Sequence, residues 1–146
     1  MWAIALATIT QLILMSGFQM QQIEQQALDR AKQLSGFQLD PELPRMKLGD
    51  WVAGVVGPTA KISWEVNDCG EQTGSPADRS RDMPMCVGVT AKISDSRRVS
   101  ILIFVGTTKK GLVEKPEVYA VLIRHNGRVS DVGKLHDLPS ALKGTK

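Results

Sequence analysis

The feature that most constrains the fold is an alternation of apolar and polar residues that recurs from residue 60 onward. Apolar residues at every second position are typical of a strand with one buried and one solvent-facing side. Residues 99–105 and 118–123 are instead apolar on both sides, as expected of strands inside a sheet. Turn sequences such as Asn126-Gly127 separate the segments. The pattern predicts about five strands in an antiparallel meander, near residues 60–66, 87–93, 99–105, 118–123 and 129–132.

Two segments before the strands have the 3.6-residue apolar periodicity of helices. The first runs from Ile23 to Leu34 before Gly36, and the second from Leu48 to Val56 before Gly57-Pro58. Phe37 to Pro44 contains two prolines and is predicted to be an extended connector. The fold class is therefore α+β, with one or both N-terminal helices packed on the sheet. We expect the second helix to cover one face of the sheet, and the first helix or a partner to cover the other.

The first 23 residues carry no charged side chain, and most are apolar. From Trp2 to Phe18 the chain would span roughly 26 Å as a helix, at the lower limit for crossing a bilayer. We predict a signal peptide or membrane anchor over residues 1–20, with membrane contact through residues 2–18. A buried helix of the domain itself is the alternative. A helical stalk and linker would follow over residues 21–44, and an α+β domain over residues 45–146. The predicted location is extracytoplasmic, either periplasmic or secreted.

The charge of the chain gives little support to nucleic acid as a partner. The 146 residues suffice for one domain. Their formal net charge is only +3. Lysines and arginines are scattered along the sequence, and Arg97-Arg98 and Lys109-Lys110 fall in predicted turns. Solvated loop charges are the simpler interpretation.

A long irregular segment, Asn67 to Pro84, is the most distinctive part of the sequence, and Cys69 and Cys86 bracket it. Loops of this length inside a small domain are usually functional or disordered. In an exported protein, the two cysteines predict a disulfide that ties the base of the loop. The candidate binding residues are the polar side chains of this loop: Glu71, Gln72, Arg79, Arg81 and Asp82.

The residues Cys69-Gly70-Glu71-Gln72 resemble the core of the thioester motif of complement and alpha-2-macroglobulin proteins. In that family the cysteine sulfur and the glutamine side chain condense with loss of ammonia, which leaves an electrophile. The resemblance covers four residues and implies a reactive thioester between Cys69 and Gln72. The flanks differ from the family, because Asp68 replaces the usual glycine and Thr73-Gly74 replaces Asn-Met. The thioester domain of that family is also larger and all-helical.

Other reactive sites have weak support. A zinc site would need ligands beyond the two cysteines, and the only histidines are His125 and His136. Loop carboxylates such as Asp78 alternate with arginines, which favours local salt bridges over acid–base catalysis. Trp51 and Trp64 fall on apolar stripes and are expected in the core. We therefore predict no metal, no cofactor and no enzymatic activity.

These observations favour a small exported binding module that presents a disulfide-tied polar loop to another protein or to an envelope component. Two alternatives remain open. One is a structural subunit of an envelope assembly, whose N-terminal helices pack against sibling chains. The other is a small enzyme that uses loop carboxylates, a reactive Cys69 or the Cys69–Gln72 thioester.

Overall fold

The computed structural model describes residues 21–67, 69, 84–108 and 115–144. The predicted signal peptide or anchor over residues 1–20 therefore lies outside the described residues. Among the residues that are described, no helix is both long and apolar enough to span a membrane.

The elements begin in the predicted order of helices and then strands, and a further helix follows the last strand. Helix α1 occupies residues 21–33 of the described chain. A 3-10 turn, Leu135–Asp137, precedes the last helix. The remaining helices are α2 (Gly36–Leu39), α3 (Leu48–Val56) and α4 (Leu138–Gly144). The strands are β1 (Lys61–Asn67), β2 (Pro84–Ser94), β3 (Arg97–Thr107), β4 (Glu117–His125) and β5 (Arg128–Asp131).

The five strands form one antiparallel sheet in the order β1-β2-β3-β4-β5, so the predicted α+β meander is confirmed. Asn126 and Gly127 both have positive φ, 52° and 80°, as a two-residue hairpin of the predicted type requires. The strand register aligns the apolar residues on one face. For example, Ala91 lies opposite Val99, and Val99 lies opposite Ile123.

All the helices that contribute to the core pack on this one face of the sheet. Trp51 and Val52 of α3 are buried in the same cluster as the strand residues, as predicted. Ala27 and Ala31 of α1 are fully buried in that cluster too. The first helix therefore shares a face with the second and does not cover the opposite one, which was one of our two expectations. Trp64 also packs against this core, as expected.

The connector after α1 is not extended as predicted. Ser35 accepts a hydrogen bond from the backbone of Gln38, and the Gln38 side chain accepts one from the backbone N–H of Ser35. This capping box stabilises a single helical turn, α2, which the prolines at 41 and 44 do not prevent because both follow it. The Leu43 side chain then packs back on Gly36, where a β-carbon would lie 3.1 Å from the leucine. A side chain larger than hydrogen would therefore disturb this return of the chain.

Candidate functional site

The side of the sheet that faces away from the helices is here called the open face. It comprises alternate residues from Lys61 to Asn67, Cys86 to Lys92, Arg98 to Phe104 and Ala120 to Arg124. Most of these residues are exposed or half-buried. In the part of the chain that the structure describes, the helices pack on the opposite face, so this one remains accessible.

One end of the open face carries the predicted disulfide, which the structure confirms between Cys69 and Cys86 with a Cα–Cα distance of 5.0 Å. Cys86 is fully buried and lies opposite Phe104 of β3, which is only 9% exposed. The Phe104 ring stacks on Tyr119 with 5.5 Å between ring centroids, and Tyr119 is 47% exposed. Cys69, Cys86 and Phe104 form a second, smaller apolar cluster, against which Leu102 packs. We call Cys69, Cys86, Leu102, Phe104 and Tyr119 the disulfide patch.

The disulfide places both ends of the long loop at this patch. Asn67 ends β1 opposite Cys86, and Pro84 begins β2 two residues before it. The predicted contact residues Glu71, Gln72, Arg79, Arg81 and Asp82 themselves lie outside the described residues. The sulfur of Cys69 is engaged in the disulfide. It is therefore not free to form a thioester with Gln72 or to act as a nucleophile.

The other end of the open face carries four basic residues in one line across the sheet, here called the basic row. Lys61 lies opposite Lys92, Lys92 opposite Arg98, and Arg98 opposite Arg124. All four residues are exposed. Like charges in directly opposed strand positions destabilise a sheet. The row therefore opposes folding slightly while it concentrates positive charge on one strip of the surface.

Acidic residues neutralise this row only in part. Lys92 forms an ion pair of 3.3 Å with Asp95, which is fully exposed and so contributes little. Within the described ranges, Lys61, Arg98 and Arg124 form no ion pair. Three of the four basic side chains thus face solvent with no carboxylate partner among the residues that the structure describes.

The prediction that Arg97 and Arg98 lie in a turn was wrong, because β3 begins at Arg97. Backbone pairing continues past the last apolar residue of the hairpin and includes both arginines. A signal for the row was present in the sequence. Each basic residue adjoins a core residue at one end of its strand, as Arg98 adjoins Val99 and Arg124 adjoins Ile123. The strand register was needed to bring the four together.

A second polar cluster joins the connector after α2 to the 3-10 turn. His136 Nδ1 lies 2.8 Å from Asp40 Oδ2, and its Nε2 lies 2.8 Å from Glu42 Oε2. Asp40 also accepts hydrogen bonds from the backbone N–H groups of His136 and Glu42. Both ring nitrogens face carboxylate oxygens, so the imidazolium form is the one that donates to both. The cluster borders an open cleft of about 570 Å³.

The pKa of His136 is raised and the pKa of Asp40 is lowered, and both shifts favour the ion pair. The side-chain hydrogen bond to Asp40 raises the pKa of His136 above 6.5, against desolvation, which lowers it. Burial raises the pKa of Asp40, but hydrogen bonds from the backbone of Glu42 and from His136 outweigh burial. The pKa of Asp40 is therefore lowered from 3.8.

Three groups of this cluster have the chemistry of metal ligands. The ligand atoms of Asp40, Glu42 and His136 lie within 4.8 Å of one another, close enough to hold a divalent cation. The carboxylates of Asp40 and Glu42 both form ion pairs with His136, and these pairs account for the geometry without a metal ion. Sequence reasoning missed the cluster because His136 is 96 positions from Asp40, a separation that carries no motif.

Comparisons with known proteins give this chain no relative: no family model, no curated protein and no solved structure matches it.

Proposed function

We propose that this protein is a small extracytoplasmic binding module whose contact surface is the open face of its sheet together with the disulfide-tied loop. The observation that carries this proposal is the position of the disulfide patch. Cys86 and Phe104 are buried on the side of the sheet opposite the helices. Both ends of the loop are therefore attached to the accessible side of the molecule.

The disulfide supports the predicted compartment as well as the predicted surface. Disulfides form and persist where the environment is oxidising, as in the periplasm or outside the cell. Both cysteines of the chain are used in the bond. An extracytoplasmic location is compatible with this bond and with the apolar N-terminal segment, which we interpret as an export signal or an anchor.

The crosslink also suits a loop that binds a partner. A flexible loop loses conformational entropy when it binds, which weakens the complex. Tying residues 69 and 86 together removes part of that freedom before binding. Tyr119 adds an exposed aromatic ring to the disulfide patch, and aromatic rings are enriched at the centres of protein interfaces. We therefore propose recognition of a partner rather than catalysis.

Site-specific photocrosslinking in the native host tests this proposal. The photoreactive amino acid p-benzoylphenylalanine replaces Tyr119 in the disulfide patch, and in a second strain it replaces Phe37. Phe37 is a matched control, because it is an exposed aromatic residue of α2, at 39% exposure, away from the open face. We expect a discrete adduct from position 119 and none from position 37. The adduct should disappear when Cys69 and Cys86 are both replaced by alanine.

Two other results would contradict the proposal. Equal adducts from positions 119 and 37, or none from either, would show that the open face is not the contact surface. An adduct from position 119 whose mass is twice that of the chain would instead support the alternative of a subunit in an assembly of sibling chains.

A further inference from the structure

We infer that the basic row is a docking site for an acidic segment of a partner protein; this inference rests on the proposed function of the open face. The row is a feature of the folded sheet, since its members lie on four different strands. Adjacent strands are about 4.8 Å apart, so the four charged positions span about 14 Å. An extended peptide of about five residues covers that distance.

The distribution of charged residues on the open face favours a narrow ligand. The next line of this face, one residue pair along the strands from the row, consists of the uncharged residues Ser63, Thr90, Ser100 and Leu122. Beyond them, the disulfide end carries the acidic residues Glu65 and Glu117, both exposed. A flat anionic surface such as a membrane would meet the acidic residues as well as the basic ones. A peptide that lies along the row meets only the basic ones.

The surroundings of the row also favour a peptide over a nucleic acid strand. Proteins that bind single strands combine basic residues with aromatic rings on which the bases stack. The exposed aromatic residue of this face, Tyr119, lies five residues along β4 from Arg124. That separation is about 17 Å, too far for a base held at the row. Small hydroxyl side chains next to the row offer hydrogen-bond donors to carboxylates instead.

Docking would also explain why the sheet retains a row of repelling charges. Carboxylates placed along the row would interact with Lys61, Arg98 and Arg124, which have no ion-pair partner within the described ranges. A carboxylate placed between two opposed basic side chains would then offset the repulsion between them. The binding energy would be electrostatic, so it would weaken as salt is added.

The direct test is binding of fluorescent poly-L-glutamate to the purified full chain, followed by fluorescence anisotropy at increasing salt. In the row variant, Lys61, Lys92, Arg98 and Arg124 are replaced by glutamine. The control variant carries glutamine at Lys32, Lys47, Lys134 and Lys143, which are exposed lysines off the open face. Both variants lose four positive charges, so only the position of the charges differs. We expect the dissociation constant to rise by about tenfold or more in the row variant, and by less than about twofold in the control.

Several outcomes would overturn the inference. Equal weakening in both variants would mean that net charge, and not the row, attracts the probe. Tighter row-dependent binding to single-stranded DNA or to vesicles with anionic lipid would identify another class of ligand. Thermal unfolding of both variants verifies that they are folded, and removing repulsion should not lower the row variant's stability.

The photocrosslinking experiment separates this inference from the proposed function. When the row variant carries p-benzoylphenylalanine at position 119, loss of the adduct is expected if the partner docks on the row. An adduct of undiminished yield would overturn the inference about the acidic segment. It would leave the open face as the contact surface.

Discussion

At the scale of single residues, Cys86 connects more of the molecule than its size suggests. It is fully buried, is bonded to Cys69, and lies opposite Phe104 on the neighbouring strand. Phe104 in turn stacks on Tyr119 of β4. The stability of the open face and the tethering of the loop therefore depend on the same bond.

Replacing Cys69 and Cys86 together by alanine should lower the free energy of unfolding by about 3 kcal/mol, as expected for closure of a loop of this length. Urea denaturation measures the loss. Reduction of the wild-type protein should cause a similar loss, and the same reductant should leave the variant unchanged. A loss below about 1 kcal/mol would show that the loop is held by other contacts.

At the scale of elements, two glycines with open surroundings should respond in opposite directions to the same substitution. Gly127 lies in the β4–β5 hairpin with φ of 80°, and Gly54 lies inside α3. A β-carbon at either position meets no atom within 4 Å. Backbone conformation alone therefore decides the effect.

Gly127→Ala should destabilise the protein by roughly 1 kcal/mol, because alanine is strained at positive φ. Gly54→Ala should stabilise it by roughly 0.5–1 kcal/mol, because alanine loses less entropy in a helix. Thermal unfolding of the two variants gives the signs directly. If both changes had the same sign, packing and not the backbone would control these positions.

The basic row gives a prediction for the sheet. Lys92 is flanked by Lys61 and Arg98 on the adjacent strands. Lys92→Glu converts two repulsive neighbours into attractive ones, and it loses only the weak, exposed ion pair with Asp95. The free energy of unfolding should therefore rise by roughly 0.5–1 kcal/mol at low salt. Lys92→Gln should give a smaller gain, since it removes repulsion without adding attraction. Chemical denaturation with urea, which adds no ions, measures both; a loss of stability in Lys92→Glu would refute the prediction.

Elements whose bounds are set by nearby residues could be predicted better than elements whose bounds depend on pairing with distant segments. Helix α3 matches its predicted bounds, Leu48–Val56, because its apolar stripe and terminal glycine are both local. The strands are longer than their apolar cores, as in β2, which begins at Pro84. Backbone hydrogen bonds extend a hairpin beyond its buried residues, and no apolar pattern marks where they stop.

The candidate site follows the same rule. The disulfide could be predicted because the chain has two cysteines, which allow one pairing. The basic row could not, since it depends on the register of three hairpin pairs. The cluster of Asp40 and His136 depends on how the two ends of the described chain meet in space. Local patterns in the sequence do not indicate which distant segments come into contact.

At the scale of the whole molecule, the ion pair of Asp40 and His136 ties the segment after α2 to the segment before α4. Since the pKa of His136 is raised, its contribution to stability is complete below 6.5 and is lost as pH rises through the folded-state pKa. Since the pKa of Asp40 is lowered, its contribution is complete above 3.8 and is lost as pH falls through the folded-state pKa.

The cluster should therefore stabilise the fold most between pH 3.8 and pH 6.5. Urea denaturation across the pH range, with a chelator present, compares the wild type with His136→Gln. The difference in free energy of unfolding should be largest in that window and should shrink at higher pH. His125→Gln, which removes the histidine of the β4–β5 hairpin, serves as the control for loss of an imidazole outside the cluster. A difference that grows with rising pH would contradict the direction of the His136 shift.

The meander has a consequence for how the protein matures. Each strand pairs with the strand next to it along the chain, so the sheet can assemble hairpin by hairpin. The disulfide joins the regions of the first two strands and has no competing cysteine within the chain. Oxidation therefore cannot produce a scrambled intramolecular isomer. Within these 146 residues there is thus no wrong pairing that a disulfide isomerase would have to correct.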